Sequence, residues 1–306
     1  MDQIGRRRTA LYRNEGHHFS ADQPALAGLY IDGGGHRHCG ISKASPFGLS
    51  LGAKIVFSST VESLAIIGNG NLARFFQYAF AERVPELAVY ARSPKNNTDR
   101  PLAEYRGQAD LILLCVQDDA LGPLSRELPQ SKGLLLHHSG TADWDVLDPK
   151  HEKRGVLWPI MSIGGGTYPD LTDIPFCAAA SDHNSEALLR EFCHLQQIKA
   201  SWLSGEEKFS LHLAAVWAQN FSNHLQQIAF DLLAQKGLSF GLIQPLLLQS
   251  IMRLKDAPPR KWQTGPAIRR DESTIARHLE ALKRPEDREL YLSLTRHLQA
   301  YHEEKL

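Results

Sequence analysis

The sequence predicts an α/β fold, a mostly parallel sheet followed by an all-helical segment, and three observations carry that prediction. Between Ser63 and Ser204, short and nearly continuous apolar runs alternate with amphipathic stretches. Runs that are apolar on both faces belong to strands covered by helices on both sides, the condition that parallel sheets require. From Gly205 onward the strand-like runs stop and a 3.6-residue apolar period takes over. Finally, the first apolar run breaks abruptly at Gly68-Asn69-Gly70 and resumes with helical spacing.

Taken in order, residues 1–60 stand apart. Gly, His, Arg and Ser are scattered there without a period of 2 or 3.6, so a poorly ordered extension outside the chemistry is expected. A transit-type leader and upstream sequence read through from a misassigned start are its two readings. Residues 61–204 form the first expected domain. Its strands are "SLAIIG", "ELAVYA", "ADLILLCV", "GLLLHHSG", "GVLWPI", "PFCAAA" and "ASWLS", with helices at Asn71 to Arg83, Ala120 to Leu128 and Ser185 to Leu195. Between Arg92 and Gln108 the chain is too short and polar for a full helix and strand, so that crossover is trimmed. Residues 205–306 form the second, all-helical domain. A long helix runs to Gly237, another ends before Pro258, and two more open at Asp271 and Pro285, in keeping with Asp and Pro at helix starts and Gly past helix ends.

Bulk properties exclude several classes of function. With 34 basic and 34 acidic residues the net charge is zero, so no basic field gathers nucleic acid. No window approaches the eighteen apolar residues of a membrane span, and the N-terminus lacks the apolar core of a secretory signal. Cys39, Cys115, Cys177 and Cys193 are widely spaced without a C-x-x-C pair. Neither structural zinc nor a disulfide framework is expected, and a reducing cytoplasm fits.

The broken run at Gly68 is G-x-G-x-x-A: Gly68, Asn69, Gly70, Asn71, Leu72 and Ala73, directly after a strand and at the head of a helix. The first glycine makes the tight turn, the second lets a pyrophosphate approach the backbone, and the small third residue lets helix and strand pack closely. Free N–H groups and the positive end of the helix dipole face the phosphates. In this context the motif reads as a Rossmann-like dinucleotide site rather than an ordinary glycine turn.

The end of the next strand discriminates between dinucleotides. A carboxylate there would bind the ribose 2′-hydroxyl of NAD; Arg92 and Ser93 stand in its place, with Lys95 nearby. These are donors for a 2′-phosphate, so NADP (NADPH) is the expected cofactor. A solvated surface charge is the plainer reading of Arg92. Val116 and Gln117 end the following strand and lie over the nucleotide at the carboxyl edge of the sheet, and His138, Ser139 and Gly140 reach the same edge one strand further on.

Five segments, "IIGNGNLA", "LILLCVQDDAL", "HHSGT", "LHLAAVWAQNFSNHL" and "QTGPAIRRDESTIARHLEAL", together resemble a family of NADP-dependent oxidoreductases. In that family a Rossmann domain is joined to a helical domain of unknown function, DUF2520, related to the pyrroline-5-carboxylate reductase, ketopantoate reductase and 6-phosphogluconate dehydrogenase group. The resemblance runs from about Ser63 to the C-terminus. It implies a 6-phosphogluconate-dehydrogenase-like helical domain, a homodimer formed by those domains, and a site between sheet and helices. On the helix after Gly205, His212, Asn220 and Asn223 share one face with Val216 between them. Related ketopantoate reductases carry a Lys and two Asn at four-residue steps on this helix; the same steps here give His212, Val216 and Asn220. His212, Asn220, Asn223 and Ser139 are therefore the candidate catalytic residues, with His212 a candidate proton donor. Polar groups satisfying one another inside a helix bundle are the alternative. Trp158 departs from the His or Tyr that relatives often carry before this proline. Arg269 and Arg270 sit at a junction where they either bind a carboxylate or phosphate or serve as helix-end ion pairs. Two functions are compatible with these residues: an NADPH-dependent reductase of a small carbonyl or imine, or an NADP(H)-binding redox sensor without turnover.

Overall fold

Alternation within the first strand sets the layers. In β1, Ser63–Ile67, Leu64 and Ile66 point into one apolar cluster and Ala65 and Ile67 into another, because successive side chains of a strand face opposite ways. The computed structural model describes residues 61–303 apart from 165 and 167. The expectation for residues 1–60, including Cys39, lies outside those residues.

After β1 come helix α1 (Asn71–Phe80), β2 (Glu86–Ala91), β3 (Asp99–Pro101), β4 (Leu111–Leu114), α2 (Asp118–Glu127), β5 (Leu134–His137), β6 (Arg154–Pro159), β7 (Pro175–Ala180), α3 (His183–Leu195) and β8 (Lys199–Trp202). They build one sheet in the order β3-β2-β1-β4-β5-β6-β7-β8. Every pairing is parallel except β6 with β7, where Trp158 lies opposite Cys177. The sheet is Rossmann-like and mostly parallel, and its last two strands run against the rest. Phe75, Phe76 and Phe80 of α1 and Leu189 and Phe192 of α3 cover one face. Leu121 and Leu124 of α2 cover the other. The trimmed crossover after β2 still supplies a strand: Asp99–Pro101 pairs with Val89–Ala91 at the sheet edge, where a proline is tolerated.

Past Ser204 the chain is helical. Ser204 and Glu207 form a reciprocal capping box, the S-x-x-E arrangement that satisfies two end N–H groups at once, and start α4 (Gly205–Ala215). The single long helix expected to run to Gly237 is interrupted: Val216–Phe221 is a π-turn, after which α5 spans Ser222–Ala234. Gly237, at φ +69, lies just beyond, the left-handed position at which helices often terminate. Next come α6 (Gln244–Arg253), α7 (Pro266–Arg269), α8 (Glu272–Ala281) and α9 (Pro285–Glu303). Asp271 caps α8 by accepting from the Thr274 N–H at 3.1 Å. Neither α5 nor α6 has a buried residue. Trp217, Leu242, Leu246, Leu248 and Ile251 are each at least 60% exposed. No described helix is long and apolar enough to cross a membrane.

Candidate functional site

Where β1 ends, the chain turns through Gly68 at φ +126, and its N–H donates to the Tyr90 carbonyl at 2.8 Å. A side chain at Gly68 would overlap the Cys115 carbonyl oxygen of the neighbouring strand. Gly70 differs. Its backbone is ordinary, at φ −77 and ψ −175, and among the described residues no side chain caps the helix start and nothing lies within 4 Å of where a Cβ would stand. The first N–H groups of α1 thus open onto space at the carboxyl edge of the sheet, the arrangement that receives phosphate. Ala73 is fully buried and allows α1 to press on the sheet. Asn71 is exposed in the first turn, while Leu72 packs against the core.

A cleft of about 350 Å³ runs from this turn and brings together Gly68, Asn69, Gly70, Arg92, Ser93, Lys95, Val116 and Gln117. Asn69 Nδ2 donates to the Ser93 carbonyl at 2.7 Å. Arg92 is already engaged, at 2.9 Å from Glu127, with both side chains more than 60% exposed; such a surface pair contributes at most about 1 kcal/mol.

The loop after β5 forms the second part of the site. His137 Nδ1 accepts from the Ser139 N–H at 3.2 Å and Nε2 bonds the Asp143 carbonyl at 3.0 Å. Burial first, and the nearby Lys208 ammonium in addition, lower its pKa to about 4. His138 Nδ1 bonds the Leu157 carbonyl at 2.5 Å, its ring lies 4.5 Å from Phe76, and its Nε2 has no partner among the described residues; burial brings its pKa to about 3. Both imidazoles are therefore neutral near pH 7, which suits enclosure. Ser139 donates to Asp118 Oδ2 at 2.6 Å and accepts from the N–H groups of Thr141 and Ala142 at 3.1 and 2.9 Å. In this structure its hydroxyl is the hub of the loop.

Beneath that loop lies a residue that the sequence reading missed. Lys208 of α4 is fully buried, and its ammonium donates to the carbonyls of Ser139, at 3.4 Å, and Ala142. Burial lowers its pKa, opposed by the charge of Asp143. One signal existed: Lys208 stands one helical turn ahead of His212. His212 itself lies over Gly140, where any side chain would overlap its ring, and 5.5 Å from the Trp158 ring. Trp158, Met161, Ser162, His212, Val216 and Asn220 line a cleft of about 220 Å³. His212 and Asn220 thus share a cleft, and Trp158 joins them as a wall. Asn223 does not line it and is exposed. The π-turn accounts for this, since one extra residue per turn rotates the residues beyond it by about 100° from the α-helical phase. Arg270, left-handed at φ +52, pairs with Glu303, so it serves a helix junction here.

Comparison with known proteins places this geometry. Residues 174–298 match the model of a domain of unknown function, DUF2520, so the matched unit begins before β7 and takes in α3, β8, α4 to α8 and most of α9. A Bacteroides fragilis protein provisionally named an NADP oxidoreductase is similar at 28% identity over 79% of this chain and 100% of its own, with a TM-score of 0.72. A Thermotoga maritima protein is similar at 21% identity over 79% of this chain and 99% of its own, TM-score 0.55. A pyrroline carboxylate reductase of Plasmodium falciparum, solved with NADP bound, is similar at 15% identity over 78% and 98%, TM-score 0.51. The last two are likenesses of fold. No functionally curated protein matches the chain.

Proposed function

We propose that this chain, a DUF2520 protein on a Rossmann-like sheet, is an NADP(H)-dependent oxidoreductase that reduces a small carbonyl or imine compound. The observation that carries the reading is the uncapped N-terminus of α1 above Gly70, opening into the cleft that also holds Arg92, Ser93 and Lys95. The open space at Gly70 fits a pyrophosphate against bare backbone, and the cationic end of the cleft fits a 2′-phosphate. The name given to the Bacteroides fragilis protein and the NADP bound to the Plasmodium falciparum reductase support the same assignment.

When bound, NADPH supplies a hydride. The chain's own residues supply the rest. The amides of Asn71 and Leu72 hold phosphate oxygens; Arg92, Ser93 and Lys95 hold the 2′-phosphate. His212 holds a proton for the oxygen or nitrogen of the substrate, Asn220 orients that group by hydrogen bonding, and the Trp158 ring keeps water from one side of the cleft. The functional division falls at residue 204, with 61–204 binding the dinucleotide and 205–306 contributing the substrate side.

The protein works as a homodimer. Supporting this, α5 and α6 bury no side chain within one copy while presenting a broad apolar surface, more than an isolated chain leaves uncovered. A second copy covers it by two-fold pairing. The cytoplasm is its compartment, in keeping with the unpaired buried thiols of Cys115, Cys177 and Cys193.

Calorimetric titration with NADPH and NADH, followed by NADPH oxidation over a panel of keto acids, imines and aldehydes, tests the reading. NADPH binds at least about tenfold tighter than NADH, the gap that one charge-assisted contact supplies, and one substrate class turns over. Equal affinities overturn the choice of cofactor, and binding without turnover points to the redox-sensing role.

A further inference from the structure

One buried carboxylate closes the loop that follows β2. Asp99 accepts both ends of the Arg74 guanidinium, at 2.7 and 2.6 Å, and its Oδ2 also accepts the backbone N–H groups of Lys95 at 2.9 Å and Asn96 at 3.2 Å. The Asp99 side chain is wholly enclosed. A charge so enclosed is tolerated only while its partners stay in place, so these four groups hold one arrangement. Arg74 is anchored in turn by α1, its N–H donating to the Gly70 carbonyl at 3.0 Å. The Asn69 side chain adds a second staple, to the Ser93 carbonyl. The glycine turn and the loop from 93 to 99 are therefore joined as one polar unit. Lys95 lines the dinucleotide cleft, and its backbone is fixed from behind by a residue that lines no part of that cleft.

We infer that Arg74 and Asp99 are positioning residues for selectivity toward a 2′-phosphorylated nucleotide, acting through the backbone of Lys95. The inference rests on the cofactor assignment above. A lysine on a loose loop loses backbone and rotamer freedom when it binds a phosphate, whereas one on a loop already fixed loses less, and affinity rises by the difference. NADH has no 2′-phosphate and gains nothing from this arrangement. Arg92 reaches the phosphate by leaving its exposed ion pair with Glu127, so its contribution is separate from the Asp99 arrangement.

The test is a double-mutant cycle on cofactor selectivity. Dissociation constants for NADPH and NADH are measured by calorimetry for the natural chain, Asp99→Asn, Lys95→Ala and the double variant. Asp99→Asn lowers the preference for NADPH by about fivefold or more while changing NADH affinity less than about twofold, and in the Lys95→Ala background it leaves the preference unaltered. The inference is overturned if Asp99→Asn weakens both nucleotides in step, or if it reduces the preference as much without Lys95 as with it. Arg74→Lys keeps the charge and loses the fork, and it is read by the same criteria if Asp99→Asn yields no folded protein. A natural chain that binds neither nucleotide, or both equally, removes the cofactor assignment and this inference with it. That result is distinct from a natural chain that prefers NADPH beside an Asp99→Asn variant that keeps the preference.

Discussion

Replacing Gly68 and Gly70 by alanine, one at a time, separates the fold from the site. Gly68 sits at φ +126 with the Cys115 carbonyl against it. A side chain in that backbone region costs about 1–3 kcal/mol. The carbonyl cannot yield easily, because Cys115 N–H donates to the Ile67 carbonyl at 2.8 Å, and forcing atoms into such a contact adds about 1–3 kcal/mol. Gly68→Ala is therefore destabilised by about 2–6 kcal/mol, a fall in melting temperature of roughly 5–20 °C for a chain of this size. Gly70, by contrast, has φ −77 and open space around its missing Cβ, so Gly70→Ala melts within about 2 °C of the natural chain. Its methyl group stands where the pyrophosphate must approach, and NADPH affinity drops at least about tenfold, or 1.4 kcal/mol. Circular dichroism melts and calorimetric titration on the same preparations read both quantities. A Gly70→Ala variant that binds NADPH normally refutes the placement of the phosphates, and a Gly68→Ala variant that melts normally refutes the reading of the turn.

Other perturbations probe the remaining parts of the assignment. Light scattering at micromolar concentration gives twice the chain mass, and Leu248→Asp, at a position 67% exposed in the single chain, gives a monomer; a natural chain that runs as a monomer ends the dimer proposal. On whichever substrate the panel yields, His212→Gln cuts turnover at least about a hundredfold, within the range for general acid catalysis, and leaves NADPH affinity within about twofold; unchanged turnover returns His212 to a packing role. Acid weakens the fold through the β5 loop. His137 and His138 have pKa values near 4 and 3 when folded against an ordinary 6.5, so the unfolded chain binds more protons between these limits and stability falls as pH drops from 6.5 toward 4. At pH 5 each imidazole accounts for a loss on the order of 2 kcal/mol, and a urea midpoint that stays flat from pH 7.5 to 5 contradicts their neutral, enclosed state.

The central strands were legible because their chemistry is local. Leu64 to Ile67 and Leu111 to Leu114 are apolar throughout, as strands buried on both faces must be. The turn at Gly68 to Ala73 was legible for the same reason, since each residue answers to its immediate neighbours. The features that escaped the sequence depend on partners far along the chain. Nothing around Pro175 to Ala180 distinguishes a strand that pairs antiparallel with β6 from one that pairs parallel, because both bury the same apolar residues. The π-turn at Val216–Phe221 has no compositional mark, and with it went the phase of Asn223. Lys208 reads locally as a solvated helix lysine. Only the carbonyls of Ser139 and Ala142, which belong to another part of the molecule, make it a buried ion.

That last contact also bears on the order in which the molecule can be made. Lys208 meets the Ser139 carbonyl across 69 positions of sequence, and synthesis proceeds from the N-terminus at about 5–20 residues per second. A nascent chain that has emerged as far as β8 holds every strand of the sheet, yet the loop after β5 still lacks the cation that binds two of its carbonyls. Those oxygens turn to water until α4 emerges, and only then does the seat under His212 take its final shape. The loop after β5 is therefore the last part of this sheet edge to gain its partners, and a chain arrested between Trp202 and Lys208 would carry the glycine turn while lacking the fixed loop beside it.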